Sequence, residues 1–266
     1  INLLSEKPSA RSVAQFDELT AAAEKSGAMF YPFQNSRFYN YFEKIQEVVN
    51  SGKLGEILHI RSIWSGFSRR WDWQTLQCEM GGNLLNTGPH PVDQAIALFG
   101  DGYPEVFCRM RSIQPLGGDA EDFCSVTLYG ENKPQIEILL SNYLAYPQGK
   151  HYNVSGTLGG LTGDHFNLDW KYYDQLTAPK QEIWKPWSKE RGYCSEQLSW
   201  TEESWKYNDT SSSNSGGYTL NSQKLYANLY DVLVNGAEQV IKLEQVRRQI
   251  YVIEECHKQN PLPRKY

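Results

Sequence analysis

The spacing of apolar positions changes twice along this chain. Asn2 to Leu4 is a short apolar stretch. From Ser12 to Lys25, Val13, Phe16, Leu19 and Ala23 recur at three- to four-residue spacing, and Gly27 follows the last turn. That pattern predicts a helix with a glycine stop. Ala28 to Tyr31 reads as a strand. Strand, helix, strand is a βαβ unit, whose two strands run parallel with a right-handed crossover. A second helix is predicted from Ser36, with Phe38, Tyr41, Phe42, Ile45, Val48 and Val49 on one stripe. Ser36 suits its N-cap and Gly52 its stop.

Beyond Gly52 the period shortens. Ile57–Ser65, Val106–Ser112, Phe123–Tyr129 and Gln135–Asn142 read as strands, with two more at Tyr152–Thr157 and Phe166–Tyr172. Turn signals such as Pro115-Leu116-Gly117-Gly118 separate the later ones. Successive strands with short links predict a mainly antiparallel sheet. One helix interrupts the run at Pro91–Phe99, and two close the chain at Asn221–Val234 and Ala237–Lys258. Residues 195–218 carry little pattern, and Ser211–Gly217 reads as a loop by composition. The expected class is α+β: a large, mainly antiparallel open sheet with flanking helices, preceded by a βαβ unit.

Composition narrows the function. The 266 residues suffice for one large domain or two small ones. Apolar residues at 40% and charged residues at 21% are in the range of folded globular proteins. A net charge of −5 gives no broad basic face, so nucleic acid is not an expected partner. No run reaches the ~18 apolar residues of a membrane helix, so no membrane partner is expected. The five Cys are scattered without C-x-x-C, which suggests neither a disulfide framework nor a metal site and fits a reducing, cytoplasmic compartment. No metal-binding His/Cys cluster is expected.

Several segments can carry chemistry. Glu6-Lys7-Pro8 lies where a strand enters a helix, and ligands of open α/β sheets bind outside the carboxyl ends of strands. A Lys there can hold a hydroxyl and stabilise developing alkoxide charge. Pro8 fixes the backbone, and its peptide bond is a candidate for cis. The plainer alternative is a solvated Glu–Lys pair before a helix-starting Pro. The second segment runs from Gly81-Gly82 through Asn86 to His90-Pro91-Val92-Asp93. It places His90 at a helix N-terminus, whose dipole disfavours imidazolium and leaves the neutral base a proton transfer needs. Asn86 can orient the ring or bind a substrate hydroxyl. A His serving only as a helix cap is the alternative.

Arg69-Arg70-Trp71-Asp72-Trp73 can form a pocket wall, or a surface loop with an Arg–Asp pair. Gly156–Gly163 lacks the following Lys-Ser/Thr of a phosphate loop and does not fit G-x-G-x-x-G, so it reads as a tight hairpin. Trp170, Trp184, Trp187, Trp200 and Trp205 suit either ring stacking with sugars or packing over a sheet.

Together these segments resemble the glucose–fructose oxidoreductase / inositol dehydrogenase (Gfo/Idh/MocA) family. The matching features are Glu6-Lys7-Pro8, Asn35-Ser36-Arg37-Phe38, Gly52-Lys53-Leu54-Gly55-Glu56-Ile57, Asp72-Trp73, the glycine-to-His90 segment with Asp93, and Gly156-Thr157-Leu158-Gly159-Gly160. The resemblance implies an NAD(P)-binding Rossmann domain followed by an α+β substrate domain that forms oligomers through its sheet face. On that division residues 1–35 are the end of the Rossmann domain and 36–266 the substrate and oligomerisation domain.

The resemblance further implies that Lys7 contacts nicotinamide and substrate oxygen and that His90 moves the proton. Glu6 and Pro8 lie on the cofactor side, and Trp73, Asn86, Lys7 and His90 contact a sugar or polyol. Many members carry Asp where Asn86 stands. Asn cannot take a proton, which leaves His90 as the base.

The dinucleotide fingerprint needs a ~30-residue strand, glycine turn and helix, and only six residues precede Lys7. The chain starts at Ile1, not Met, and reads as a piece of a longer protein. NAD or NADP is expected in the complete protein and not on this chain alone. Two other functions compete: a carbohydrate-binding or oligomerisation module without cofactor, and a glycosidase using Asp72 and Glu79. Exposed parallel edges predict that residues 1–33 are mobile or covered by another chain.

Overall fold

The computed structural model describes residues 1–146, 148–183, 194–207 and 218–266. Trp184, Trp187 and the Ser211–Gly217 loop lie outside the described residues. The chain opens with β1 (Leu3–Ser5), α1 (Val13–Ser26) and β2 (Phe30–Pro32), and β1 pairs with β2 in parallel. Ser12 caps α1 by accepting the Gln15 N–H, and Gly27 ends it in the left-handed region at φ 65°.

This unit is not left bare. Phe16, Phe30, Tyr31 and Phe33 form an apolar cluster with Leu225 of α5 (Tyr218–Asn235), Ile241, and Val246 and Ile250 of α6 (Leu243–Gln259). The chain's own last two helices thus cover the Phe16 side of the unit, while Leu3, Leu4 and Leu19 stay exposed. The cause is burial of aromatic area, at roughly 25 cal/mol per Å².

The main sheet has eight strands: β3 (Ile57–Ser65), β4 (Glu105–Arg111), β5 (Phe123–Tyr129), β6 (Gln135–Ser141), β7 (Tyr152–Gly156), β8 (Gly159–Gly163), β9 (Asn167–Tyr173) and β10 (Trp200–Lys206). Their spatial order is β10-β9-β8-β7-β3-β6-β5-β4. Neighbours are antiparallel except β3 and β6, which run parallel with Ile60 opposite Ile136. β7 and β8 make the hairpin expected at Gly156–Gly163.

Alternate residues of these strands, among them Val126, Leu128, Ile136, Ile138, Leu140 and Val154, face the core. Against that face lie α2 (Asn40–Asn50), α4 (Pro89–Phe99) and α6, through Phe42, Ile45, Val92, Ile96, Val252 and Ile253. Among the described residues no helix lies on the opposite face, which presents Phe107, Arg109, Thr127, Lys171 and Glu202.

Several boundaries differ from expectation. Ser36 does not cap α2; it is buried inside a 3-10 turn at Asn35–Phe38, and Tyr39 precedes the helix without a side-chain cap. The Ser36 carbonyl instead accepts from Gln94 Nε2 at 2.9 Å. The helix at Pro91 begins two residues earlier, at Pro89. α6 begins at Leu243 rather than Ala237, and Gly236 at φ 66° ends α5.

Candidate functional site

Two of the resemblance motifs, Asn35–Phe38 and the segment ending at Asp93, meet at the first turn of α4. Arg37 donates to both Asp93 carboxylate oxygens, at 2.9 and 2.7 Å, in a buried fork-to-fork pair. Gln94 accepts from Tyr152 Oη at 2.7 Å. Gln249 of α6 donates to the Pro89 carbonyl and accepts from Gln34 at 2.8 Å. The start of α4 is thus tied to β7, to α6 and to the segment after β2. Asp93 is a structural group here, facing away from solvent.

The approach to α4 is equally constrained. Residues Asn83–Asn86 form one short helical turn, α3, and Thr87-Gly88 link it to α4. Gly82 has φ 112°, and a Cβ there would lie 2.2 Å from the Glu121 carboxylate. A Cβ on Gly88 would lie 2.2 Å from the Leu84 carbonyl oxygen. Only glycine fits at either position.

This geometry brings Lys7 and His90 together. Lys7 lies in the turn from β1 to α1, half-buried, and the Lys7–Pro8 peptide is cis. Its Nζ donates to the Asn86 carbonyl at 2.6 Å. Burial pushes the Lys7 ammonium below its ordinary pKa, with the Glu6 charge opposing. His90 is the second residue of α4. Its pKa is pushed down to about 4, first by burial and then by the Lys7 charge. Burial and the Lys7 charge act in the same direction as the effect expected of the helix N-terminus. His90 Nδ1 is buried and has no hydrogen-bond partner among the described residues. Such a group is a cost unless something completes it.

The other expected residues fall in different places. The Asn86 side chain donates to Gln74 Oε1 at 2.9 Å and does not reach the His90 ring; only its carbonyl contacts Lys7. Glu6 is exposed and its carboxylate accepts the Lys7 N–H at 3.1 Å. Trp73 is 56% exposed in a 3-10 turn capped by Asp72, and nothing joins it to His90. Arg70 and Asp72 form the surface pair foreseen as the alternative, at 3.3 Å. Asp72 and Glu79 are both exposed, and the Asp72 carboxylate accepts the Gln74 N–H at 3.0 Å. Trp170 lies in the core and Trp205 packs against it, whereas Trp200 lies on the open side.

Sequence reasoning missed the aromatic wall of the site. Trp64 stacks over His90 with ring centroids 6.0 Å apart and planes at 21°. Its other ring neighbours are His151, at 4.9 Å, and His165, at 5.9 Å. His151 and His165 meet through their Nε2 atoms at 3.0 Å. Burial pushes His151 down to about 3 and also lowers His165. These residues come from the end of β3, the residue before β7 and the β8–β9 turn, so no local motif joins them. Among the described residues, no group of three or more His, Cys, Asp or Glu is placed to hold a metal ion. No helix of the described residues is long and apolar enough to cross a membrane.

Comparisons with known proteins bear on the fold and the domain type. Residues 42–162 match the family described as GFO/IDH/MocA C-terminal domain. The uncharacterised oxidoreductase YhhX of Escherichia coli is 30% identical over 148 residues, 55% of this chain and 42% of that protein. The Bacillus subtilis scyllo-inositol 2-dehydrogenase (NADP(+)) IolW is 23% identical over 158 residues, 58% of this chain and 43% of that protein. The matched region therefore spans less than half the length of these curated relatives. An Agrobacterium radiobacter oxidoreductase, solved with NAD+, L-tartaric acid and magnesium, shares the fold with a TM-score of 0.72 at 15% identity. The superposition covers 99% of this chain and 73% of that one. Residues 42–162, which hold Asp93 and the glycine-bounded approach to His90, are thus similar to the GFO/IDH/MocA C-terminal domain.

Proposed function

We propose that the whole protein carrying this chain is an NAD(P)-dependent oxidoreductase acting on a hydroxyl-bearing carbon of a sugar or polyol, with Lys7 and His90 as its acid–base pair. The observation that carries this reading is the placement of a half-buried ammonium beside a neutral, unpartnered imidazole. Lys7 would hold the substrate oxygen and stabilise negative charge as the O–H bond breaks. His90 would take that proton on oxidation and return it on reduction. Its lowered pKa keeps the ring neutral at pH 7 but makes it a weak base, so the two groups must act together.

The fit of a nicotinamide cofactor is limited but consistent. Glu6, Lys7 and Pro8 lie at the carboxyl end of β1, where they would border a nicotinamide ring. The β1–α1 turn contains no glycine, so the described residues supply no pyrophosphate cradle. When bound, the nicotinamide would accept or supply the hydride. The relatives support the substrate class: one is named as an inositol dehydrogenase, and an NAD-bound neighbour shares the fold. The uncovered face of the eight-stranded sheet, with Phe107 at 61% exposure, supports self-association through that face.

The test is formation of reduced cofactor by the full-length protein over a panel of polyols and aldoses with NAD and with NADP. Turnover of at least one polyol or sugar is expected. Calorimetric sugar binding with no dinucleotide binding and no turnover would favour the non-catalytic module instead.

A further inference from the structure

The segment Asp119–Asp122, just before β5, buries three carboxyl groups. None of them forms an ion pair with Lys or Arg among the described residues. Each holds backbone instead. Asp119 accepts from Gln77 N and Lys265 N, at 2.9 and 2.8 Å. Asp122 accepts from Ile113 N and Gln114 N, at 2.9 and 2.7 Å. Glu121 is aimed at the catalytic approach. Its Oε1 accepts from Leu84 N at 3.0 Å, Leu85 N–H also serves the carboxyl, and its own carbonyl accepts from Asn83 N at 2.9 Å. The missing side chain of Gly82 makes room for that carboxyl.

We propose that Glu121 is a positioning residue for the Lys7–His90 pair, acting through the α3 backbone. The path is short. Glu121 fixes the N–H groups of Leu84 and Leu85. The next residue, Asn86, presents the carbonyl that receives Lys7 Nζ. Four residues further on stands His90. A shift of α3 would move the Lys7 acceptor and the link to α4 together, and small misplacements of reacting groups cost large factors in rate. This inference rests on the acid–base reading of Lys7 and His90.

The chemistry of the carboxyl gives a distinctive readout. An ionised carboxylate accepts strongly through both oxygens, whereas a protonated one keeps a single full acceptor oxygen and adds a donor O–H beside the two N–H groups. Burial raises the Glu121 pKa to about 7, with the backbone hydrogen bonds opposing. The groups around it are Cys108 of β4, Cys124 of β5, Cys256 and His257 of α6, and the pocket-lining Arg11, Glu254, Lys258 and Arg264. His90 titrates well below this range.

Glu121→Gln and Glu121→Asp, made in the full-length protein, test the proposal. At pH 8 the Gln variant is expected to lose about tenfold in kcat, with KM changed less than twofold. The loss should shrink to about twofold at pH 6, where the wild-type carboxyl is itself protonated. The Asp variant keeps the charge but loses reach, and should be slow at both pH values. Equal kcat for wild type and Gln at pH 8, or a loss of the same size at both pH values, overturns the proposal. If circular dichroism shows the Gln variant unfolded, the Asp variant decides: kcat within twofold of wild type at pH 8 overturns it. Wild-type rates in both Lys7→Met and His90→Ala would instead reject the underlying acid–base reading.

Discussion

Removal of the Asp93 carboxylate should destabilise the protein more than any single change at the exposed residues of the site. Asp93 is 0% exposed and Arg37 is 6% exposed. Asp93→Ala breaks two charge-assisted bonds, at 2.7 and 2.9 Å, and leaves the guanidinium buried with Gln245 Oε1 as its remaining side-chain acceptor. Hydrogen bonds to charged groups contribute about 1.5–3 kcal/mol each. Breaking a buried ion pair from one side costs about 3–5 kcal/mol, because the partner's desolvation is no longer offset. The expected loss for Asp93→Ala is therefore about 3–5 kcal/mol, and for Asp93→Asn, which keeps a neutral acceptor, about half that. Arg37→Met combined with Asp93→Leu leaves no unpaired charge and should be closer to wild type than Asp93→Ala alone. Urea unfolding followed by tryptophan fluorescence measures all three. A loss below about 1 kcal/mol for Asp93→Ala would refute the reasoning, because the pair would then not be desolvated as its geometry implies.

Two further outcomes follow from the same site. His90 titrates near 4 in the fold, against about 6.5 in an unfolded chain, so the unfolded state takes up more protons between those values. Its contribution makes stability fall as pH drops below 6.5, by about 1.2 kcal/mol between pH 7 and 5.5. Glu121, with a raised pKa, acts in the opposite sense. The urea midpoint of wild type minus that of His90→Gln at pH 7, 6 and 5.5 isolates the histidine, and a difference that does not fall with pH contradicts the assignment. Gly82→Ala combines a positive φ with a clash on the Glu121 carboxylate, and should cost at least about 2 kcal/mol in the same assay. A change below about 0.5 kcal/mol would show that α3 can shift freely.

The elements were legible where burial alternates or recurs strictly. β5 alternates buried and less buried residues from Phe123 to Tyr129, and α2 keeps Tyr41, Phe42, Ile45 and Val48 on one buried stripe. β10 was not legible, because Trp200-Thr-Glu-Glu-Ser-Trp-Lys is an edge strand largely open to solvent and has no strict apolar alternation. β8 was hidden by its glycines, whose bare Cα atoms let it lie against β9: a Cβ on Gly159 would fall 2.1 Å from the Lys171 carbonyl. At the site, Lys7 and His90 were readable because each sits in a local motif. Trp64, His151 and Glu121 were not, since only the fold brings them to α3 and α4. Asn86 was read for its side chain, whereas its carbonyl is what meets Lys7, and backbone groups leave no mark in a sequence.

The acid–base pair is tested most directly by kcat of the full-length protein with Lys7→Met and with His90→Ala, on whichever polyol or sugar the wild type turns over. Both variants should fold and both should lose at least a hundredfold in kcat, with cofactor affinity retained in His90→Ala. Wild-type kcat in both would contradict the central claim.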